Sequence, residues 1–178
     1  MARNKRNGSQ VFSVEAVREA GLALMALIHP LCELRVEKDG EDAICTVVTQ
    51  DRRSMLMASV ADRAAEAVIP NNGTPHDLFH GLENLATSLD MAAALVGSED
   101  GATLEAVVLV DSVTEAVAAL FRRENYRAAL SAMARRLDRG AKPSMGEITK
   151  LVGPHLPKLD QMKWDVGSIY IRMGWVAN

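Results

Sequence analysis

The chain predicts a mainly α-helical fold, formally α+β: a helical body, one β-hairpin near residues 31–49, and a small helical module at the C-terminal end. Three observations carry that expectation. Apolar residues recur at three- and four-residue spacing through most of the 178 residues, and Ser, Thr or Asp repeatedly stands where a helix would begin. Around Asp39-Gly40 the pattern changes to the period of two that suits paired strands. Hydrophobic residues make up 48% of the chain and aromatics only 4%, so a core large enough to stand without disulfides must be aliphatic, built from Ala, Val, Leu and nine Met. Charged residues at 24% complete a globular balance and exclude wholesale disorder.

Residues 1–10 read as a flexible basic tail. Ser13 can cap a first helix over 14–28, with Phe12 and Val17 spaced as a hydrophobic staple and Val14, Val17, Gly21, Leu24 and Ile28 as its buried stripe. Pro30 ends it. Residues 31–37 and 42–49 follow as strands, and a two-residue turn at Asp39-Gly40 would set Val36 opposite Ala43, Leu34 opposite Cys45 and Cys32 opposite Val47. In that register all six share one face, so the two cysteines serve as small buried hydrophobes in a reducing compartment and do not pair.

After a polar break at 50–53, residues 54–68 read as helical in their second half, with 55–60 open to a third strand. Ile69 to Gly73 is a loop. Thr74, Pro75 and Asp77 form a helix start whose pattern runs to about Val96, where Gly97 and Gly101 close it. The segment 103–110 fits either element, because Val107 to Val110 is a β-branched run interrupted only by Leu109, yet Leu104, Val107 and Val108 also share a helical face; helix is the reading taken. Ser112 and Glu115 have capping-box spacing and start or restart a helix through Phe121. A further helix over 125–137 keeps Tyr126, Leu130, Met133 and Leu137 on one face. Residues 138–143 are the candidate boundary between an acidic body, 11–138, and a basic module, 139–178, packed on it.

The formal net charge of -3 conceals an uneven distribution. From Arg122 onward eleven basic residues face five acidic ones, a balance of +6; residues 1–10 add +3, and residues 11–121 carry -12. Asymmetry of this kind speaks to partners, not to fold. The basic start runs directly into Asn7, Gly8, Ser9 and Gln10, and the apolar stretch 21–28 is late and short, so a secretory leader and a membrane span are not expected and the compartment is read as cytoplasmic.

Sites with recognisable chemistry are sparse. His76, His80 and Glu83 could share one side of a helix, but the glutamate that follows the first histidine of a zinc-protease helix is missing, and the trio reads as a boundary beside the stripe Phe79, Leu82, Ala86, Leu89 and Ala93. Neither a nucleophile elbow nor a phosphate-cradling glycine loop is present. No catalytic residue, metal ligand or cofactor is therefore assigned, and the expectation is a protein that is not an enzyme.

The C-terminal third carries the most information. Ser144 and Glu147 form a capping box for a short helix over 145–152, ended by Gly153-Pro154. Leu159 and Trp164 then staple a helix capped at Asp160, with Met162, Val166, Ile169, Tyr170 and Met173 on one face and Gly174 closing it ahead of Trp175. The runs GEITKLVG and VGSIYIRMGW resemble winged helix-turn-helix modules, including those that end some phage-type replication proteins, in which a short helix precedes a recognition helix closing on a Gly-Trp corner. The connection here, with Pro154 and Pro157, is longer than the usual three to four residues.

Two functions compete on these residues. A DNA-associated regulatory or accessory protein would use Arg122, Arg123, Arg127, Arg135, Arg136, Arg139 and Lys142 on phosphates, with Lys163 and Arg172 nearer the bases. An adaptor or homo-oligomer would use Trp164, Ser168, Ile171 and Trp175 against another protein or a second copy, since Trp164, Gly167, Ser168 and Ile171 form a second apolar stripe on the last helix. Neither needs a membrane.

Overall fold

A computed structural model describes residues 11–39, 42–72, 77–98, 103–140 and 143–175. Within them eight helices and one hairpin follow in order: α1 (Val14–Ile28), β1 (Glu33–Asp39), β2 (Asp42–Val48), α2 (Arg52–Ser59), α3 (Ala61–Glu66), α4 (Asp77–Val96), α5 (Leu104–Phe121), α6 (Glu124–Leu137), α7 (Met145–Val152) and α8 (Leu159–Arg172). The mainly helical class with a small β element is the one expected from the periodicity.

Helix α1 is the axis of the fold. Ser13 caps it by accepting from the Ala16 N–H, and ten of its fifteen residues are buried, so it is covered nearly all round. Its neighbours are α2, α3, α6, α8 and the hairpin. The chain leading into it is clamped on two sides. Phe12 exchanges backbone hydrogen bonds with Pro70 and Asn72 at 3.2 and 2.9 Å, and the Ser13 N–H donates to the Asp138 carboxylate at 2.7 Å. Both staple residues, Phe12 and Val17, are buried.

Hairpin and α2 depart from the sequence expectation in instructive ways. The strands pair in the register Leu34 with Val47, Val36 with Cys45 and Asp39 with Asp42, not Val36 with Ala43 and Leu34 with Cys45. A displacement of two residues leaves the side-chain alternation intact, so the apolar pattern could not separate the two registers and only the turn decides between them. The alternative third strand at 55–60 is a helix instead: Asp51 accepts from the Ser54 N–H at 2.8 Å and starts α2 within the polar break. Val60, fully buried, separates α2 from α3.

The ambiguous stretch at 103–110 belongs to α5, opened by Thr103 and unbroken to Phe121. Ser112 therefore lies inside a helix and does not restart one. The capping-box spacing of Ser112 and Glu115 is common to helix interiors, and the Thr103 cap with the buried Ala106, Val110 and Val113 stripe outweighs it. Thr74, Pro75 and His76 lie outside the described residues, as do the side chains of Cys45, His80 and Glu83.

The C-terminal helices share the one hydrophobic cluster of the described residues, contributing Ile148, Val152, Val166 and Ile169. Helix α7 carries the expected capping box and packs on α6, whereas α8 packs on α1 and α5. Asp160 is not the cap of α8. The helix begins at Leu159 after Lys158, and Asp160 lies in its first turn, where a carboxylate is favoured by the exposed backbone N–H groups.

Helices α1 and α3 meet at Gly21. A Cβ on that glycine would stand 2.4 Å from the Ala61 carbonyl oxygen and 2.7 Å from the Ala65 Cβ, both on rigid helix backbone or short side chain. Gly21→Ala is expected to destabilise the fold by roughly 1–3 kcal/mol, the range for overpacking a close-packed core, despite the better helix propensity of alanine. Urea denaturation of the two proteins measures it; an unchanged or higher midpoint would show that the contact is not rigid.

Candidate functional site

Two carboxylates, the buried Asp165 and the half-buried Asp51, fix the position of α8. Towards its middle, Asp165 accepts from Arg123 Nη1 at 2.5 Å, from Gln161 Nε2 at 2.8 Å and from the Tyr126 hydroxyl at 2.8 Å. Burial alone would raise this carboxyl, but the three donors outweigh it and hold the group below the usual carboxylate range. Burial, together with the carboxylate beside it, pushes the Tyr126 phenol well up, so it stays a donor.

Near the other end of α8, Tyr170 reaches into the start of α2. Its hydroxyl donates to Asp51 Oδ2 at 2.9 Å and lies 2.8 Å from Ser54 Oγ and 3.3 Å from His29 Nε2. Ser54 Oγ also donates to Asp51 Oδ2 at 2.5 Å. The Leu31 N–H donates to His29 Nδ1 at 3.1 Å, which assigns the imidazole proton to Nε2 and makes the ring neutral. Burial pushes the imidazole down to about 4, with Asp51 opposing only in part. Asp51 is held low because the Ser54 and Tyr170 hydrogen bonds overcome its burial, and burial with Asp51 nearby pushes Tyr170 up to about 12. These groups bond one another across α1, α2 and α8. Together they hold α8 in position.

Helix α8 closes in a way that its sequence dictates. Gly174 takes a positive φ of 67°, its N–H bonds the Ile171 carbonyl, and the Trp175 N–H bonds the Tyr170 carbonyl at 2.8 Å. This is the glycine-dependent closing turn that returns the next side chain onto the last helical turn. Trp175 accordingly packs edge-on to Tyr170, with ring centroids 5.6 Å apart.

The result is a groove of about 630 Å³ between α8 and the end of α1, walled by His29, Pro30 and Leu31 on one side and by Trp164, Ile171 and Trp175 on the other. Val166, Gly167 and Tyr170 form its floor and Lys163 its charged edge. Trp164 is 66% exposed, Ile171 71% and Leu31 56%. Both tryptophans of the chain, and one of its two tyrosines, are gathered here.

Of the residues expected to bind a protein, Trp164, Ile171 and Trp175 therefore come together. Ser168 does not join them; its hydroxyl donates to the Asp165 carbonyl and faces a separate notch of about 90 Å³ beside Arg123 and Arg172. Of those expected on phosphates, Arg123 is committed to Asp165, and Arg122 pairs with Glu115 at 2.6 Å. Arg136 lies 3.9 Å from Glu147, and Arg127, Arg135 and Arg139 are exposed along or just after α6. Lys142 lies outside the described residues. Lys163 and Arg172, nine residues apart, stand about 180° from each other around α8 and face different cavities. Gly167 belongs to the stripe read on the last helix, whereas His29, Leu31, Asp51 and Ser54 were not singled out from the sequence. Only the Asp51-to-Ser54 spacing, that of a helix cap, offered a signal.

Compared with family models, with curated proteins and with solved structures, the chain finds no match in any of the three. Among the described residues no three potential metal ligands cluster, and no helix is long and apolar enough to cross a membrane.

Two titrations follow. Because the folded His29 titrates near 4 and an unfolded histidine near 6.5, the unfolded chain takes up a proton the folded one refuses, and the stability tied to His29 falls as pH drops from 6.5 to 4 and is level below. The stability gap between the parent and His29→Gln should therefore shrink by roughly 3 kcal/mol between pH 7 and 4. Denaturant curves at both pH values measure it, and parallel losses in the two proteins would contradict the assignment. Cys32 is half-buried, and burial, with Asp51 adding, pushes its thiol up to about 11. Its alkylation in the folded protein should be slow at pH 8 and should accelerate steadily towards pH 10; labelling at the rate of a free thiol at pH 8 would contradict this.

Proposed function

We propose that this protein works by binding another protein chain, through the groove between α8 and the His29 to Leu31 corner, which receives an apolar segment of its partner. The observation that carries the reading is the gathering of Trp164, Trp175, Ile171 and Leu31 around a preshaped concavity in a chain with few aromatics. Large aromatic side chains beside aliphatic ones are the residues that dominate binding energy at protein interfaces. Exposed apolar surface of this kind is otherwise a liability that a chain without a use for it avoids. The hydrogen-bonded cluster of Tyr170, Asp51, Ser54 and His29 supports the reading further, since a groove held in shape by hydrogen bonds loses little entropy when filled.

A second reading, duplex DNA, is supported by the exposed Arg127, Arg135, Arg136 and Arg139. One experiment separates the two. Peptides selected from a random displayed library against the purified protein are expected to carry large apolar anchors. Their binding should weaken at least tenfold with Trp164→Ala and stay unchanged with Arg135→Ala plus Arg136→Ala. Retardation of DNA at low salt that is lost in the double arginine variant, with no peptide selected, would replace the groove reading by the DNA one.

A further inference from the structure

The first turns of α5 carry a second exposed apolar feature, on a different part of the molecule. Leu104 is 77% exposed, Val108 55% and Val107 39%, and their spacing puts them on one helical face. Glu105 and Asp111, both exposed, flank them. We infer that the groove on α8 is filled by this Leu104, Val107 and Val108 stripe of a second copy of the chain, in a head-to-tail contact. The inference rests on the groove being a protein-binding site and names its occupant.

Three observations point to that occupant. The first is geometric. Helix α8 lies against α5 at Ala116, Ala119 and Leu120, using Asp165, Ser168, Ile169 and Arg172, whereas the groove opens on the other side, at Lys163, Trp164, Gly167 and Ile171. The stripe also begins about 18 Å up α5 from that contact, at 1.5 Å per residue. A chain cannot reach its own groove with its own stripe, so the stripe must come from another molecule.

The second is charge. Lys163 edges the groove and makes no ion pair or hydrogen bond among the described residues, while Glu105 and Asp111 border the stripe. The same complementarity holds for the chain at large, with -12 over residues 11–121 and +6 from Arg122 onward. Stripe on stripe sets acid against acid, and groove on groove sets base against base. Only the head-to-tail arrangement brings opposite signs together.

The third is Gly167. Glycine in a helix interior costs about 1 kcal/mol relative to alanine, and it is kept there when something must approach the backbone. At Gly21 that something is α3. At Gly167 nothing among the described residues lies within 4 Å of where a Cβ would be, so no contact among them requires the glycine. The dip it leaves sits on the groove floor between Trp164 and Ile171, open to an incoming side chain.

A contact between two different patches does not close on itself at two copies, and it builds a ring or an open filament.

The test uses full-length protein in sedimentation velocity over a range of concentrations. The parent chain is expected to grow in mass with concentration, and less so at high salt, where the Lys163 to Glu105 and Asp111 attraction is screened. A stripe variant, Leu104→Asp with Val108→Asp, should be monomeric throughout; the positions are exposed, and an acid in the first turn suits the helix start, so the fold survives. A groove variant, Gly167→Leu, should also be monomeric while melting at the parent temperature or above. The two variants mixed should form a species of twice the chain mass and nothing larger, because one supplies the intact groove and the other the intact stripe. A parent chain monomeric at every concentration, a stripe variant that still assembles, or a mixture that stays monomeric overturns the inference. In the first of those cases, library peptides that still enter the groove leave the groove reading intact, and peptides that do not remove both.

Discussion

The approach of α1 to α3 at Gly21 sets the frame for the rest of the molecule. With hydrogen at that position the Ala61 carbonyl and the Ala65 methyl can lie directly against α1, and the two backbones come closer than side chains of ordinary size permit. An aromatic-poor core depends on such proximity. Alanines fill little volume, so dispersion contacts are made by bringing helices together instead of by filling the space between them. Ala20, Ala61, Ala64 and Ala65 are all fully buried, and α1 can then touch α2, α6, α8 and the hairpin with its remaining faces.

Because α1 is placed so firmly, the residue that caps its end, His29, becomes a fixed reference point for the C-terminal helix. Helix α8 is pegged by two carboxylates that are kept ionised in partly or wholly buried settings, Asp51 through Tyr170 and Asp165 through Arg123, Gln161 and Tyr126. A buried carboxylate tolerates few arrangements of its donors, and rotating α8 by even one residue would leave at least one oxygen unpaired. The position of the helix is thus decided by hydrogen-bond geometry, while its adhesion comes from Val166 and Ile169 in the core. The rigid pose matters for the groove, whose two walls belong to helices far apart in the sequence.

The surface shows a division of labour in its charges. Arg122 and Arg123 are taken up by intramolecular pairs and Arg136 lies near Glu147, while Arg127 and Arg139 are exposed along or just after α6. Of the ten large apolar side chains exposed among the described residues, Val11, Met55 and Val96 stand apart, and seven lie on α8 with its facing corner or on the start of α5. One is concave with a basic edge, the other convex with acidic neighbours. Both are built on helices whose ends are well defined, by Thr103 at one and by the Gly174 turn at the other.

Much of the local structure was written in the order of residues. Ser13, Thr103, Ser144 and Gly174 act where they stand, through hydrogen bonds to backbone groups within a few positions, and such signals need no tertiary partner. The helical identity of most segments and the outward stripe of Trp164 and Ile171 follow equally from spacing. Tertiary structure decided the rest, wherever the physics is non-local. The hairpin register was undetermined because a shift of two residues preserves alternation. Ser112 looked like a cap because its competition with a buried stripe is settled by packing. Arg123 looked available because Asp165, which takes it up, is 42 residues away. The groove itself could not be read in advance: half of it is Trp164, Gly167 and Ile171, visible as a stripe, and the other half is His29, Pro30 and Leu31, which only the packing of α1 on α8 brings opposite.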